Sequence, residues 1–442
     1  MSIVELIRGK EKYVIKKESN RIIFITIITL CVLLIMLLVG KNIKTSYEIE
    51  SINNKIETVT EKEDFEIWVI DGGLSYILDD VVEEYRTKYP NIRFIIKSFS
   101  ERVYYKSILS AAATNSLPDM FYSWGDTELE ELVKLGIIED ITLTVEARKL
   151  KESMNEGALD SYTIDNRVYG VPVFGWDLVM YCNKELFQKA GAEYPSNYED
   201  LMIAINKFKE HEIIPLTISG KDAWTQSMYY MAFALEDGSI SENVKIKESP
   251  GVFEDYQFRK AALKLENISK VAPWLENYEN MSAGESGNAF TYGYCGMLLS
   301  GSWVAANIDC DLFSLKSEDI EVVKFPDIEN IGIGGYCDGF VLSKSDKYNN
   351  FNELLYIELV KDISDYAILK RGMGIPVYKN KEIDNVKYST VKKCQDLFSD
   401  QRHSAYDRIL PAKRKDIYNN ALRELVVGDI DADKFIETIT RE

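Results

Sequence analysis

The feature that most restricts the architecture of this chain is an uncharged apolar segment near its N-terminus. Residues 22–40 form a run of 19 positions without a charged side chain. A helix of this length spans about 28 Å, which is close to the thickness of the hydrocarbon core of a bilayer. No other stretch of the sequence is similar, so we predict one transmembrane helix at residues 22–40.

The charges that precede this segment predict its orientation. Residues 1–21 are basic on balance, with Arg8, Lys10, Lys12, Lys16, Lys17 and Arg21 against Glu5, Glu11 and Glu18. Because basic flanks stay in the cytoplasm, we expect residues 1–21 inside and the rest of the chain outside. The apolar run is longer than that of a signal peptide and lacks a small-residue cleavage pattern. An uncleaved signal anchor is therefore favoured over a cleaved signal.

Length and composition limit what the outer part can be. A chain of 442 residues exceeds what one hydrophobic core usually serves, which indicates two lobes. The formal net charge of −19 argues against a nucleic-acid partner, because phosphate backbones need clustered cations. With only His211 and His403 in the chain, and no nucleophile elbow, phosphate loop or HExxH pattern, we expect no metal, no cofactor and no enzyme activity.

The cysteines do not form a recognisable metal-binding pattern. Cys31 lies in the middle of the apolar run, where lipoprotein processing does not occur. The other five are Cys182, Cys295, Cys310, Cys337 and Cys394. Buried small hydrophobic side chains are favoured over structural disulfides, although an outward location permits disulfides and the sequence does not pair these residues.

Alternating strand and helix patterns indicate an α/β fold. After a polar tether at 41–63, a strand at 65–70 is followed by an amphipathic helix and by a strand at 92–96, which implies parallel pairing. The apolar face of that helix is predicted to consist of Leu74, Ile77, Leu78, Val81, Val82 and Tyr85. Further strands are predicted at 120–122, 178–182 and 213–219, the last at a sheet edge because of Pro215. Helices are predicted to begin at Thr127 with a capping box, at Lys184 with Asn183 as its cap, and at Ser196, followed by a mainly helical tail at 387–442.

Strand ends in such a sheet supply the first candidates for a binding site, because ligands bind beyond the carboxyl ends of the strands. Asp71-Gly72-Gly73 follows the first strand, Ser98, Ser100, Glu101, Tyr104 and Tyr105 follow the second, and Trp124 and Asp126 follow the third. Aromatic rings and carboxylates suit the apolar faces and hydroxyl groups of a sugar. The alternatives are that Asp126 only caps a helix and that one of the two tyrosines lies in the core.

Five segments in this order resemble a known family. They are 117–121 (LPDMF), 169–173 with 181–187 (YGVPV and YCNKELF), 194–201 (YPSNYEDL), 290–303 (FTYGYCGMLLSGSW) and 334–339 (GGYCDG). They resemble motifs of the maltose-binding-protein-like group, the extracellular solute-binding proteins that serve sugar-importing ABC transporters. The resemblance covers residues 62–442. It departs from the family at the missing lipobox, at Cys182, where Tyr is common, and at Gly175-Trp176-Asp177, which matches no single consensus.

The resemblance implies a two-lobed periplasmic-binding-protein-like fold (class II, Venus-flytrap) that closes around its ligand. It implies crossings near Pro172, Tyr336 and Pro376. One lobe would then contain residues 64–172 and 336–376, and the other residues 173–335 and 377–442. Trp303 matches the family's stacking Trp, Trp176 follows the first crossing, and Trp224 lies in a loop that faces the cleft. Tyr336 and Asp338 lie in the glycine-rich crossover, although Asp338 beside Gly339 could simply stabilise a turn.

The function implied by the resemblance is capture of a carbohydrate, an oligosaccharide by preference, and its delivery to an ABC permease. We expect a monomer whose partners are the ligand, the permease subunits and, through the N-terminal helix, the membrane. The alternative is a membrane-anchored sugar sensor or co-receptor that signals through a partner protein. A cell-surface glycoside hydrolase is disfavoured. The identity of the sugar stays open, as does an anionic ligand, because Arg102 and Lys106 lie near the candidate loops.

Overall fold

The computed structural model describes residues 63–235, 246, 249–271, 274–310, 313–328, 332–344, 350–398 and 402–441. The predictions for residues 1–21, for the transmembrane helix at 22–40 and for the tether up to residue 62 lie outside these ranges. Within them, no helix has both the length and the apolar character needed to cross a membrane.

The strands belong to one large mixed sheet and one small hairpin. In chain order they are β1 (Glu63–Ile70), β2 (Ile92–Phe99), β3 (Met120–Trp124), β4 (Thr163–Ile164), β5 (Arg167–Val168), β6 (Gly170–Asn183), β7 (Leu216–Thr217), β8 (Met297–Gly301), β9 (Ile320–Val323), β10 (Gly332–Leu342) and β11 (Arg402–His403). The large sheet has the order β2-β1-β3-β10-β6-β8-β7, with β9 paired to β6 and β11 paired to β10, while β4 and β5 pair with each other.

The described residues also form a series of α-helices. They are α1 (Gly73–Lys88), α2 (Glu101–Ala113), α3 (Thr127–Leu135), α4 (Thr142–Ala147), α5 (Leu150–Ser153), α6 (Lys184–Ala190), α7 (Tyr198–Glu210), α8 (Trp224–Ala234), α9 (Tyr256–Lys270), α10 (Ala283–Thr291), α11 (Trp303–Asp309), α12 (Asn350–Arg371), α13 (Ser389–Leu397), α14 (Tyr406–Ile409), α15 (Ala412–Val427) and α16 (Ala432–Thr440). Short 3₁₀ turns occupy Asp160–Tyr162, Pro250–Glu254, Tyr278–Asn280 and Ser317–Asp319.

The first strand, helix and strand form the parallel unit that the sequence predicts. β1 pairs in parallel with β2 and with β3. All six apolar residues predicted on the inner face of α1 are buried. This confirms the α/β class for the start of the outer domain, because a crossover helix covers a parallel pair of strands.

Two long strands run from one part of the sheet into the other. β6 is buried along its whole length; its first half pairs with β10, and its second half pairs with β8 and β9. The second half of β10 pairs with β3. A third connection joins Gly175 to Ile375, whose backbone groups exchange hydrogen bonds of 2.9 and 2.7 Å. The two strands and this bridge lie side by side and make up three connections between the two sheet regions.

Buried apolar side chains form two clusters. The first includes side chains of β1, β3, α1 and α12, and it continues across the connections to β8, β9 and α11. The second includes side chains of α7, α8, α9, α15 and α16. The first cluster is therefore shared between the two lobes. The residue limits given above for the two lobes stay a prediction.

Several local predictions need correction. Thr127 does not form a capping box, because its hydroxyl donates to the carbonyl of Ile409 at 2.7 Å. The helix predicted to begin at Ser196 is capped by Asn197, whose side chain accepts from the backbone of Asp200. The strand predicted at 213–219 is reduced to the two residues of β7. β7 is the last strand in the sheet order, which is the edge position that the nearby Pro215 predicts. By contrast, Asn183 caps α6 as predicted.

Candidate functional site

A cleft of about 850 Å³ lies beside the three connections between the lobes. This volume is within the range of about 300–1,000 Å³ that is typical of ligand pockets. Five of the eight predicted site residues line it: Trp124, Trp176, Trp224, Trp303 and Asp338. Both lobes contribute to its walls.

Three of the tryptophans form a continuous aromatic wall. Trp303 begins α11, and its ring meets Trp176 at 4.9 Å and Trp224 at 5.9 Å between centroids, in both cases edge to face. The ring of Trp303 folds back over Gly301, where any Cβ would lie 1.9 Å from a ring carbon. Gly301 is therefore required at the end of β8 for Trp303 to adopt this orientation.

Trp124 ends β3 on the opposite lobe. Its ring contacts Tyr122 edge to face with centroids 5.2 Å apart. Gly125 follows, and a Cβ there would lie 2.6 Å from Ser161, so a larger residue does not fit directly after β3. Trp124 is the cross-strand partner of Asp338 on β10, which brings two predicted site residues together.

Asp338 belongs to a charged and aromatic cluster. Its carboxylate accepts a hydrogen bond from the hydroxyl of Tyr122. The guanidinium carbon of Arg408 lies 4.5 Å from the ring centroid of Trp124, and its Nε lies 3.5 Å from the carboxylate of Asp407. Burial alone would lower the pKa of Arg408, but the negative charges of Asp407 and Asp338 help to raise it overall, so Arg408 is a cation.

Three predicted site residues do not line the cleft. Tyr104 is 1% exposed, and its hydroxyl donates to the carbonyl of Tyr122 at 2.6 Å, so it belongs to the core of its lobe. Tyr336 is also buried, and it packs so closely on Gly175 that a Cβ there would lie 2.7 Å from its ring. The β10 register is irregular between Gly335 and Asp338, which separates Tyr336 from Asp338.

Asp126 is the third of these residues. It precedes α3 with a φ of 63°, and its backbone N–H donates to the carbonyl of Ser161 at 2.8 Å. Its side chain makes no capping hydrogen bond to α3. The residue therefore serves the turn after β3, and neither the predicted cleft contact nor the helix cap is seen.

The match to a known family decides what kind of protein this is. The sequence pattern of the bacterial extracellular solute-binding proteins matches residues 80–349, more than half of the chain. The chain belongs to this family. The folded domain of this solute-binding protein therefore lies outside the cytoplasm, and the family consists of binding proteins rather than enzymes.

Curated relatives of this solute-binding protein are distant. An uncharacterized ABC transporter extracellular-binding protein of Pyrococcus horikoshii is 23% identical over 235 residues, which cover 52% of this chain and 54% of the relative. A putative binding protein of Brucella abortus is 25% identical over 197 residues, which cover 43% of this chain and 46% of the relative. The chain thus spans about half the length of the curated relatives it matches.

Solved structures share the fold of this solute-binding protein over most of its length. A protein from a study of xylan utilization by Caldanaerobius polysaccharolyticus superposes with a TM-score of 0.79 at 23% identity, covering 85% of this chain and 99% of that chain. A chitin oligosaccharide binding protein gives 0.76 at 18% identity, covering 85% and 97%. RafE in complex with raffinose gives 0.72 at 17% identity, with the same coverage. These similarities confirm the two-lobed α/β fold.

Sequence reasoning missed several residues that line the cleft of this solute-binding protein. Asp407 and Arg408 come from α14, a four-residue helix with no periodic pattern that could have identified it. Tyr122 lies within β3, where it looks like an ordinary core residue. Phe174 lies within β6, and Asn307 lies within α11. Only their position in the assembled structure shows that they face the ligand space.

The cleft is acidic. Its lining includes the carboxylates of Asp71, Asp79, Asp80, Glu101, Asp338 and Asp407. The cationic side chains on the same lining are Arg371 and Arg408, and each lies close to a carboxylate, with Arg371 3.0 Å from Asp80. This balance disfavours an anionic ligand. The described residues contain no group of His, Cys, Asp or Glu side chains suited to hold a metal ion.

Proposed function

We propose that this protein is the substrate-binding component of an ABC importer and captures a carbohydrate, an oligosaccharide by preference, in its inter-lobe cleft. The observation that carries the proposal is the wall formed by Trp176, Trp224 and Trp303 beside a set of carboxylates. Aromatic faces pack against the C–H faces of sugar rings, and carboxylates accept hydrogen bonds from sugar hydroxyls.

The comparisons support this proposal by analogy. The Pyrococcus relative is described as an extracellular-binding protein of an ABC transporter. The structural relatives include a chitin oligosaccharide binding protein and a raffinose complex. The acidic lining supports a neutral or cationic sugar over a phosphorylated one, because uncompensated carboxylates repel phosphate.

Capture would proceed by closure of the two lobes about the three connections. Gly175, Gly335 and Ile375 lie side by side there, so small backbone rotations at these positions can move one lobe relative to the other. Closure would enclose the ligand between Trp124 and Asp338 on one side and the wall of three tryptophans on the other. Binding is reversible, and the closed form would be recognised by the permease.

The membrane attachment belongs to the same proposal. Residues 22–40 would form a single-pass signal anchor, with residues 1–21 in the cytoplasm and the tether at 41–63 holding the binding domain at the outer surface as a monomer. Protease treatment of intact cells would test this. The binding domain should be digested, and a membrane-bound N-terminal fragment should remain.

Calorimetry of the full chain in detergent tests the function directly. The panel would contain xylo-, chito- and malto-oligosaccharides, raffinose and a sugar phosphate. We expect saturable binding of at least one neutral or amino sugar. A folded protein that binds none of them would contradict the proposal.

A sensor or co-receptor role is the second candidate, because a fixed anchor would suit signalling better than shuttling. The two roles predict different phenotypes. Deleting the gene should abolish uptake of the bound sugar if the protein serves import, and should leave uptake intact but change gene expression if it serves sensing.

A further inference from the structure

Arg408 stands between two chambers of the groove that separates the lobes. The first chamber is the cleft of about 850 Å³ described above. A second chamber of about 650 Å³ lies beside it. The residues that line both are Glu101, Trp124, Trp224, Asp407 and Arg408. These five residues are defined here as the dividing wall.

Contacts from both lobes hold Arg408 in this wall. Its guanidinium covers a face of the Trp124 ring at 4.5 Å, and its Nε lies 3.5 Å from Asp407. The side chains of Arg408 and Asp407 are only 17% and 6% exposed. The adjacent Ile409 accepts the hydrogen bond from Thr127 across the groove. A buried cation with an ion-pair partner and an aromatic partner is costly to displace.

The chambers on the two sides of the wall differ in chemistry. The first has the apolar platforms of Trp176, Trp303 and Phe174. The second has charged residues of both signs, including Glu128, Glu131, Lys415 and Arg423. Burial raises the pKa of Glu128 to about 7, against the opposing effects of Lys415 and Arg408. Both chambers carry charged residues, but Trp176, Trp303 and Phe174 line only the first, and this difference favours sugar stacking there.

We propose that Arg408 is a specificity-determining residue that sets the length of the saccharide accepted by the cleft. The inference rests on the proposed function. Arg408 ends the first chamber and occupies the ring face of Trp124 that would otherwise continue the aromatic surface. Truncation of this side chain would join the two chambers and uncover Trp124 as an additional stacking platform. The wild-type protein thus selects short saccharides, and the variant accepts longer ones.

The test compares the full-length protein with Arg408→Ala by calorimetry. The probes are xylo-, chito- and malto-oligosaccharides, each from the disaccharide to the hexasaccharide. For the wild type, affinity should stop rising at a short length. For the variant, affinity should continue to rise with saccharide length. Its longest saccharide should bind about tenfold more tightly than the saccharide at which the wild-type affinity levels off, a gain in binding free energy of about 1.4 kcal/mol.

Two further variants control for the loss of a positive charge and for a failure to fold. Arg423→Ala also removes one positive charge from the second chamber but leaves the dividing wall intact, and it should reproduce the wild-type length profile. If Arg408→Ala does not fold because Asp407 is left buried without its partner, the double variant Asp407→Asn/Arg408→Ala removes both charges.

The possible results separate the inference from the function on which it rests. Levelling off at the same length in the wild type and in a folded Arg408 variant would overturn the inference and leave the proposed function standing. Failure of both proteins to bind any saccharide would overturn the proposed function and the inference together.

Discussion

The rings of Trp303 and Trp176 meet edge to face with 4.9 Å between centroids, so the first residue of α11 packs against a strand that connects both lobes. Trp303 also contacts Trp224, which makes it the central member of the aromatic wall. Any ligand that stacks on this wall is therefore expected to depend on Trp303 more than on its neighbours.

Replacement of Trp303 by Ala should weaken carbohydrate binding. The loss of a central aromatic platform typically costs about 2 kcal/mol or more, which corresponds to roughly a thirtyfold rise in Kd. Calorimetry against the saccharide identified in the panel measures the change. Trp274→Phe is the matched control, because Trp274 packs on Tyr229 away from the cleft lining. Equal affinity in the Trp303 variant and the wild type would show that the wall does not bind the ligand.

Gly175→Ala should disturb the connection between the lobes. The new methyl group would lie 2.7 Å from the ring of Tyr336 and 3.2 Å from the carbonyl of Gly335. Overpacking of this kind costs about 1–3 kcal/mol of stability, and the shift of either neighbour should also change the closing equilibrium. Chemical denaturation measures the first effect, and small-angle scattering with and without ligand measures the second.

Gly284→Ala supplies the control for that substitution. Gly284 lies in α10, and an added Cβ there would have no atom within 4 Å. Its replacement should therefore stabilise the protein slightly, by up to about 1 kcal/mol, because Ala favours a helix over Gly. If both Ala variants behaved alike, close packing at Gly175 would not be the cause of any loss.

Arg402→Met should destabilise the fold by leaving a buried carboxylate without its charged neighbour. The Nε of Arg402 lies 3.4 Å from Asp177, and the Asp177 side chain is only 4% exposed. Breaking a buried pair by removing one partner costs about 3–5 kcal/mol. A double-mutant cycle with Asp177→Asn measures the coupling in urea. The double variant should recover part of the loss, and strict additivity would contradict the interaction.

Stability should depend on pH through His403. The side chain is 1% exposed, and neither ring nitrogen has a hydrogen-bond partner in the part of the chain that the structure describes. Burial lowers the pKa of His403, so between its folded pKa and the unfolded value of about 6.5 the unfolded chain binds more protons. The free energy of unfolding should therefore fall as the pH drops below about 6.5.

His403→Leu isolates this contribution. The difference in unfolding free energy between the variant and the wild type should shift in favour of the variant from about pH 7.5 to about pH 5. Replacement of the exposed His211 by Gln controls for the loss of a histidine elsewhere on the protein. A constant difference between His403→Leu and the wild type at both pH values would exclude titration of His403 as the cause.

Local sequence patterns correctly predicted the elements whose structure depends mainly on residues close to them in the sequence. The inner face of α1 follows from helical periodicity. Trp124 could be assigned to the cleft as a candidate because it follows the strand predicted at 120–122. Trp176, Trp224 and Trp303 depended on the family resemblance, because no local rule determines which side of a connection faces the cleft.

The site predictions that failed concern residues whose positions are set by tertiary contacts and not by the local sequence. Tyr336 and Asp338 are two residues apart and would share a face in a regular strand, but the irregular register of β10 separates them. Tyr104 and Tyr105 occupy adjacent positions of α2, and only the assembled lobe shows that the Tyr104 hydroxyl bonds to the backbone of β3. Arg408 reaches the cleft through tertiary contact with Trp124, more than two hundred residues earlier in the chain.

The order of strands in the large sheet has a consequence for biosynthesis. β3 finds its second neighbour in residues 338–342 of β10, and α12 packs near α1 only later in the chain. A ribosome that has made β1, β2 and β3 has therefore produced a sheet with an open edge, which stays uncovered until most of the chain has been translated. Such a nascent chain can complete its first lobe only after β10 and α12 have been made.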